Sequence, residues 1–237
     1  MDSLEDLLIT RSPTAERPLL GLTVLAVEDS RFACEALRLM CQKSGARIRR
    51  ADTLRHARRH MRTYRPDVLI VDLGLPDGHG ADLISDIAAQ AVRPEVILGT
   101  SGDPDGARQA LGAGADGFLE KPVTTLGEFQ STILSHLPWE RQPRGPRSID
   151  GDVIEPDELA LKDDLAHAAA ILSDFGDEEI DYVTQFLGGI ARTTADTGLG
   201  IVVDAIVVRR AENLSANAEI SALRAALEVR LSNSHLI

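Results

Sequence analysis

The stretch Asp67-Val68-Leu69-Ile70-Val71-Asp72, continued by Leu73-Gly74-Leu75-Pro76-Asp77-Gly78, decides the fold. A continuous run of Val, Leu and Ile reads as a strand buried on both faces, and glycine and proline behind it mark a turn. Asp72 therefore stands at a strand's carboxyl edge, where open parallel sheets place their chemistry.

Three more apolar runs end the same way. Leu22 to Val27 precede Glu28-Asp29-Ser30, Val96 to Leu98 precede Gly99-Thr100-Ser101-Gly102, and Phe118-Leu119-Glu120 precede Lys121-Pro122. Four strand ends thus offer carboxylates, hydroxyls and an ammonium to one place. Buried like charges such as Glu28, Asp29 and Asp72 repel unless a cation sits among them, and carboxylate oxygens suit Mg²⁺.

In this order and context, these residues resemble the receiver domain of two-component response regulators. The resemblance covers about residues 20–137 and rests on the acidic pair Glu28-Asp29, Asp72 with its Leu75-Pro76-Asp77-Gly78 turn, Thr100, and Lys121-Pro122 behind Phe118. It implies a flavodoxin-like (βα)5 fold, a five-stranded parallel sheet of order 2-1-3-4-5. Asp72 would be the nucleophile toward a phosphohistidine, forming an acyl phosphate. Mg²⁺ would be held by Asp29, Asp72, the Gly74 carbonyl and, through water, Glu28. Lys121 would pair with a phosphoryl oxygen, turned inward by a cis bond to Pro122, and Thr100 and Phe118 would be the switch residues. Ser101 stands where the family more often has Ala or Gly. The resemblance also implies a sensor histidine kinase or histidine phosphotransfer protein as partner. A chain of this kind is a signalling phosphoacceptor that catalyses its own phosphorylation and dephosphorylation, not an enzyme in the ordinary sense.

The alternation of strand and helix patterns agrees with a parallel sheet joined by right-handed crossovers. Ser30 is a good N-cap for a helix that Gly45 ends, and an arginine-rich edge strand is expected near Ala46 to Ala51. Residues 1–19 read as a tail with an apolar patch at Leu4, Leu7, Leu8 and Ile9. Residues 138–156 read as a Pro-, Gly- and charge-rich linker, with Trp139 expected to pack on the last receiver helix. Residues 157–237 read as a mainly α-helical domain of four segments, carrying Leu161 to Leu172, Ile180 to Ile190, Leu199 to Ile206 and Ile220 to Leu231. The run around Ile201-Val202-Val203 is β-branched enough to be strand on propensity alone. Such a bundle closes within one chain or pairs with a second copy as a homodimer.

Of the net charge of −12, residues 150–237 carry −11, from 17 acidic and 6 basic side chains. That charge argues against nucleic acid as a partner of this part and for an effector protein docking on its helices. No apolar run reaches the roughly 20 residues of a spanning helix, and Met1-Asp2-Ser3-Leu4-Glu5-Asp6 lacks the positive region of a secretory signal, so no membrane and a cytoplasmic location are expected.

Other signals read more plainly as structure. Cys34 and Cys41 lie seven apart on one helix, about 10 Å between Cα atoms, too far for a disulfide, and are expected in the core. His56 and His60 are spaced for a metal but lack a third ligand. Residues 47–65 hold eight arginines against one acid, Asp52, a stretch that would suit an anion or nucleic acid and is read instead as a surface for the acidic helical part or an acidic partner. His167, on a helix, reads ordinarily as a core-edge or surface histidine; as a phosphotransfer histidine it would make the chain a phosphorelay intermediate with a divergent histidine phosphotransfer bundle, though its neighbours lack that family's Lys and Gly. A DNA-binding transcriptional regulator would need a basic recognition helix, and only Arg209-Arg210 offers a basic pair in residues 157–237.

Overall fold

The computed structural model describes residues 12–144, 151–174 and 177–233. The apolar patch expected at Leu4 to Ile9 lies outside them. Five parallel strands form the central sheet: β1 Thr23–Val27, β2 Arg47–Ala51, β3 Val68–Asp72, β6 Val96–Ser101 and β7 Gly117–Glu120. Between β3 and β6 the turn Gly74 to His79 forms a two-residue hairpin, β4 Gly74–Leu75 with β5 Gly78–His79. The sheet order is β2-β1-β3-β6-β7, the expected 2-1-3-4-5 once the hairpin is left out.

Five helices cover the two faces: α1 Arg31–Ser44, α2 Leu54–Thr63, α3 Gly80–Ala88, α4 Gly106–Gly112 and α5 Leu126–His136. Strands buried on both sides carry near-continuous apolar runs, and β3 and β6 are buried throughout, with Asp72, Thr100 and Ser101 as polar residues at their carboxyl ends. β2 is largely exposed and arginine-rich, as the edge position allows. Helix ends follow local chemistry. Ser30 accepts from the Ala33 N–H, Thr53 accepts from the His56 N–H, and Gly45 ends α1 with φ 85°, a conformation open to glycine. Cys34 and Cys41 are both buried and unbridged, as expected.

Two boundaries differ from expectation. Leu19 is fully buried and its N–H donates to the Ser44 carbonyl, so the packed chain starts before residue 20. Trp139 does not pack on α5. It is 77 % exposed in a short 3-10 turn, Trp139–Arg141, and Ile154 is the linker residue that enters the receiver core. Ile154 donates to the Thr124 carbonyl and Val153 bridges Thr125, so the end of the linker lies along the start of α5.

The C-terminal part is four helices: α6 Glu158–Asp174, α7 Asp177–Thr193, α8 Thr197–Ala211 and α9 Asn217–Asn233. Each packs on the next, and α9 returns to α6, so the ring closes within one chain around Leu165, Leu172, Val183, Leu187, Val203, Ile206, Leu223 and Leu227. The β-branched run near Ile201 is helix. Leu199, Val203 and Ile206 recur at helical spacing and are buried, and tertiary burial outweighs the weak strand propensity. Among the described residues no helix is long and apolar enough to cross a membrane.

Candidate phosphoacceptor site

Because β1, β3, β6 and β7 run in parallel, Asp29, Asp72, Ser101 and Lys121 all fall at one edge of the sheet. Register places Thr100 on β6 directly beside Asp72 on β3. Asp72 is buried, and its carboxylate takes the Lys121 ammonium at 2.8 Å and the Gly74 N–H at 3.3 Å. Lys121 also reaches Glu28 at 2.7 Å, and its peptide bond to Pro122 is cis.

One oxygen each from Glu28, Asp29 and Asp72 lie within 4.8 Å of one another. Three carboxylates facing one ammonium leave two negative charges, which one divalent cation balances. The residues therefore fit Mg²⁺ in donor type and in charge. Burial pushes the Glu28 carboxyl far above the usual range, against the pull of Lys121. Burial and then the Asp72 charge push Asp29 up as well. Burial opposes the Lys121 charge, but Asp72 and Glu28 outweigh it and hold the ammonium above its ordinary value. The strain in this cluster is of the kind a cation relieves.

The Thr100 hydroxyl is buried and without a hydrogen-bond partner among the described residues. A buried unpaired hydroxyl costs about 1–3 kcal/mol, so its place beside Asp72 marks where an acceptor oxygen belongs. Phe118 is half-buried, and its ring already lies over Gly99 and Gly106. A methyl group on Gly106 would come 3.0 Å from the ring and 2.8 Å from Ser101 Cβ. Every residue expected at the site is thus gathered at this edge or one strand from it.

The bundle supplies residues that sequence reasoning missed. The Tyr182 hydroxyl donates to Asp29 Oδ2 at 2.5 Å. Asp164, buried on α6, accepts from Ser30 Oγ at 2.7 Å and from the Arg31 and Phe32 N–H groups at 2.8 and 3.1 Å, which ties it to the N-terminus of α1. Gln185 lays its carboxamide on Gly74, and Arg192 lies over Gly102. A cleft of about 930 Å³ between receiver and bundle is lined by Glu28, Asp29, Asp72, Lys121, Gln185 and Arg192, among others. Two sequence signals were available. Asp164 interrupts the apolar spacing of Leu161, Leu165 and Ala168, and Tyr182, Gln185 and Arg192 share a polar stripe opposite Ile180, Val183 and Leu187.

The weaker candidates stay apart from this site. His56 bonds Asp52 at 2.6 Å and His60 stacks edge-on against Tyr64, with no third metal ligand among the described residues. An ion pair between bundle and receiver joins Asp163 to Arg31. The expectation that the bundle docks on the arginines of residues 47–65 is corrected to docking centred on α1, with Arg50 among those arginines acting on the bundle's Asp164, whose pKa burial raises and the Arg50 charge lowers. His167 is exposed with its ring edge-on to Phe186.

Residues 24–132 match the family model of the response regulator receiver domain. The KDP operon transcriptional regulatory protein KdpE of Escherichia coli is 36% identical over 110 residues, 46% of this chain and 48% of that protein. Transcriptional regulatory protein KdpE of Mycobacterium tuberculosis is 32% identical over 143 residues, 60% of this chain and 61% of that protein. A solved structure, the chemotaxis response regulator CheY4 of Vibrio cholerae, is 25% identical, with a TM-score of 0.43, and covers 49% of this chain and 98% of that one. The chain spans about half to three fifths of the length of these curated relatives. Both are named as transcriptional regulators, in conflict with the expectation, drawn from the charge of residues 150–237, that nucleic acid is an unlikely partner. Within this chain, residues 24–132 are a response regulator receiver domain.

Proposed function

We propose that the chain is a response regulator that accepts a phosphoryl group on Asp72 from the phosphohistidine of a sensor histidine kinase or phosphotransfer protein, and that the helical bundle is the element through which it signals. The observation that carries this reading is the constellation around Asp72: an ammonium at 2.8 Å, two further carboxylates and an unpartnered hydroxyl one strand away. Asp72 attacks phosphorus, Lys121 pairs with charge on the transferred group, and Thr100 donates its hydroxyl to a phosphoryl oxygen. Asp29, Asp72 and Gly74, with Glu28 behind them, would hold Mg²⁺, which when bound offsets charge on the phosphoryl oxygens. Phosphate binds one arrangement of the site better than the other, and that difference moves the β6–α4 region against Phe118. In this role the protein catalyses only its own phosphorylation and dephosphorylation.

Incubation with a small acyl-phosphate donor and Mg²⁺ tests the reading. It expects one base-labile phosphoryl adduct, mapped to Asp72 and missing from Asp72→Ala. Full labelling of that variant overturns it.

A second reading takes the output to DNA. It is favoured by the relatives, which are named transcriptional regulators, and by the exposed arginines Arg47, Arg49, Arg50, Arg55, Arg59 and Arg62 on β2 and α2. The acidic bundle works against phosphate-backbone contact, so in this reading the basic face of the receiver makes it. Mobility shift on mixed-sequence duplex at low and moderate salt, with and without the adduct, separates the two. Salt-sensitive binding lost on Arg55→Glu favours DNA, and no shift favours a protein effector or second copy on the helices.

A further inference from the structure

We infer that the bundle acts on the receiver's aspartyl phosphate in cis, with Gln185 orienting the water that hydrolyses it. The inference rests on the phosphorylation of Asp72 proposed above and adds an activity to the helical part.

Helix α7 lies across the carboxyl edge of the sheet, and its polar stripe meets three neighbouring strand ends in order. Tyr182 bonds Asp29 after β1, Gln185 sits on Gly74 after β3, and Arg192 covers Gly102 after β6. These residues stand three and then seven positions apart, on one face of a helix. At the middle contact, a methyl group on residue 74 would fall 2.3 Å from Gln185 Nε2 and 2.6 Å from its Cδ. A side chain at that position would have to displace the carboxamide, and the Gly74 N–H in turn donates to Asp72. The carboxamide thus rests over the peptide whose N–H bonds the acceptor carboxylate, at the mouth of a cleft with room for water and a phosphoryl group. It is itself solvent-exposed, so water reaches it freely.

The chemistry suits an amide. Water attacks phosphorus from the side opposite Asp72, the new O–P bond forms as the Asp72–phosphorus bond breaks, and the electron pair returns to the carboxylate. An acyl phosphate dianion and water thus give a carboxylate and dihydrogen phosphate, which keeps both protons of the water. Because the leaving carboxylate has a solution pKa of about 3.9, it needs no proton, and orientation of water is the remaining task. A glutamine carbonyl accepts from the water while its N–H₂ donates to a phosphoryl oxygen, as in GTPases that orient water with glutamine. Neutrality matters as well, since a carboxylate there would repel the phosphoryl oxygens. Arg192 places a cation on the same face.

The test uses the full chain. The adduct is formed with a small acyl-phosphate donor and Mg²⁺, the donor is removed, and its decay is followed by intact mass. Gln185→Ala is expected to lengthen the lifetime by at least about tenfold, Gln185→Glu not to restore it, and Gln185→Asn to restore part. A side chain that merely covers the site predicts the opposite sign, because its removal admits water. An unchanged or shorter lifetime in Gln185→Ala overturns the inference and leaves phosphorylation standing, whereas no adduct in the natural protein overturns both. A readout independent of turnover is the Gln185 side-chain N–H₂ resonance, identified by its loss in Gln185→Ala. It is expected to shift when beryllofluoride occupies the site, and no shift counts against the contact.

Discussion

Tyr182 of the bundle donates its hydroxyl to Oδ2 of Asp29, a carboxylate 153 positions earlier in the chain that belongs to the acidic cluster of the receiver. The bond couples the domains at a carboxylate that a cation would need. Burial and the nearby Asp29 charge both push the Tyr182 hydroxyl's own ionisation up, so it remains a donor.

Removing that donor is expected to favour Mg²⁺. A hydrogen bond to a charged group is worth roughly 1.5–3 kcal/mol, and Asp29 gives up this bond if the ion takes the same oxygen. Tyr182→Phe is therefore expected to tighten Mg²⁺ binding by about tenfold in titration calorimetry. Equal affinity would mean that the ion and the phenol use different oxygens.

The lock between the domains is a different carboxylate. Asp164 caps α1 through two backbone N–H groups and the Ser30 hydroxyl, and burial raises its pKa despite those donors. Loss of a helix cap costs typically about 1 kcal/mol, and here two N–H groups lose a partner together. Asp164→Ala is expected to speed hydrogen exchange of the Arg31 and Phe32 amides by about tenfold or more, with β3 amides unchanged. Uniform acceleration across the receiver would instead indicate global destabilisation.

What could be read in advance divides by distance along the chain. Strands β1, β3 and β6 were legible because burial on both faces writes itself as an uninterrupted apolar run, and helix starts at Ser30 and Thr53 because caps act within three residues. That the strand ends share one edge followed from parallel topology, and the expected roles of Asp72, Thr100 and Lys121 from the resemblance to receiver domains. Tyr182 and Gln185 were not legible as site residues, since nothing local ties a polar stripe on α7 to loops more than a hundred positions away. Trp139 misled because size and apolarity argue for burial, whereas it stands exposed in its 3-10 turn and Ile154, fifteen positions on, is the linker residue that enters the receiver core.

Within the bundle, Asp196 should impose an acid limit. It caps α8 through the Leu199 N–H and takes the Arg230 fork at 2.6 and 2.7 Å, and that pairing holds its carboxyl below the usual range. A carboxyl depressed in the folded state stabilises it above the unfolded pKa of about 3.9, and the contribution disappears as pH falls through the lower folded value. Asp196→Asn keeps a capping oxygen but loses the charge. It is expected to lower stability by about 1 kcal/mol at pH 7 in urea unfolding, with the gap to the natural protein narrowing as pH drops below about 4. A gap independent of pH would assign the effect to packing.

Thr100 separates stability from switching. Its buried hydroxyl has no partner among the described residues, so in the resting protein it carries a desolvation cost without a bond. Valine matches its shape and removes the orphan donor, which is expected to leave stability unchanged or raise it by about 1 kcal/mol, seen as an equal or higher melting temperature. On the proposed phosphorylation of Asp72, that hydroxyl would be the donor drawing β6 toward Asp72, beside which it stands in register. Thr100→Val is therefore expected still to accept phosphate on Asp72 but to lose the phosphate-dependent change in exchange at β6 and α4. A variant that melts lower, or that keeps the full change, would show that Thr100 is bound elsewhere at rest or that the switch runs through other groups.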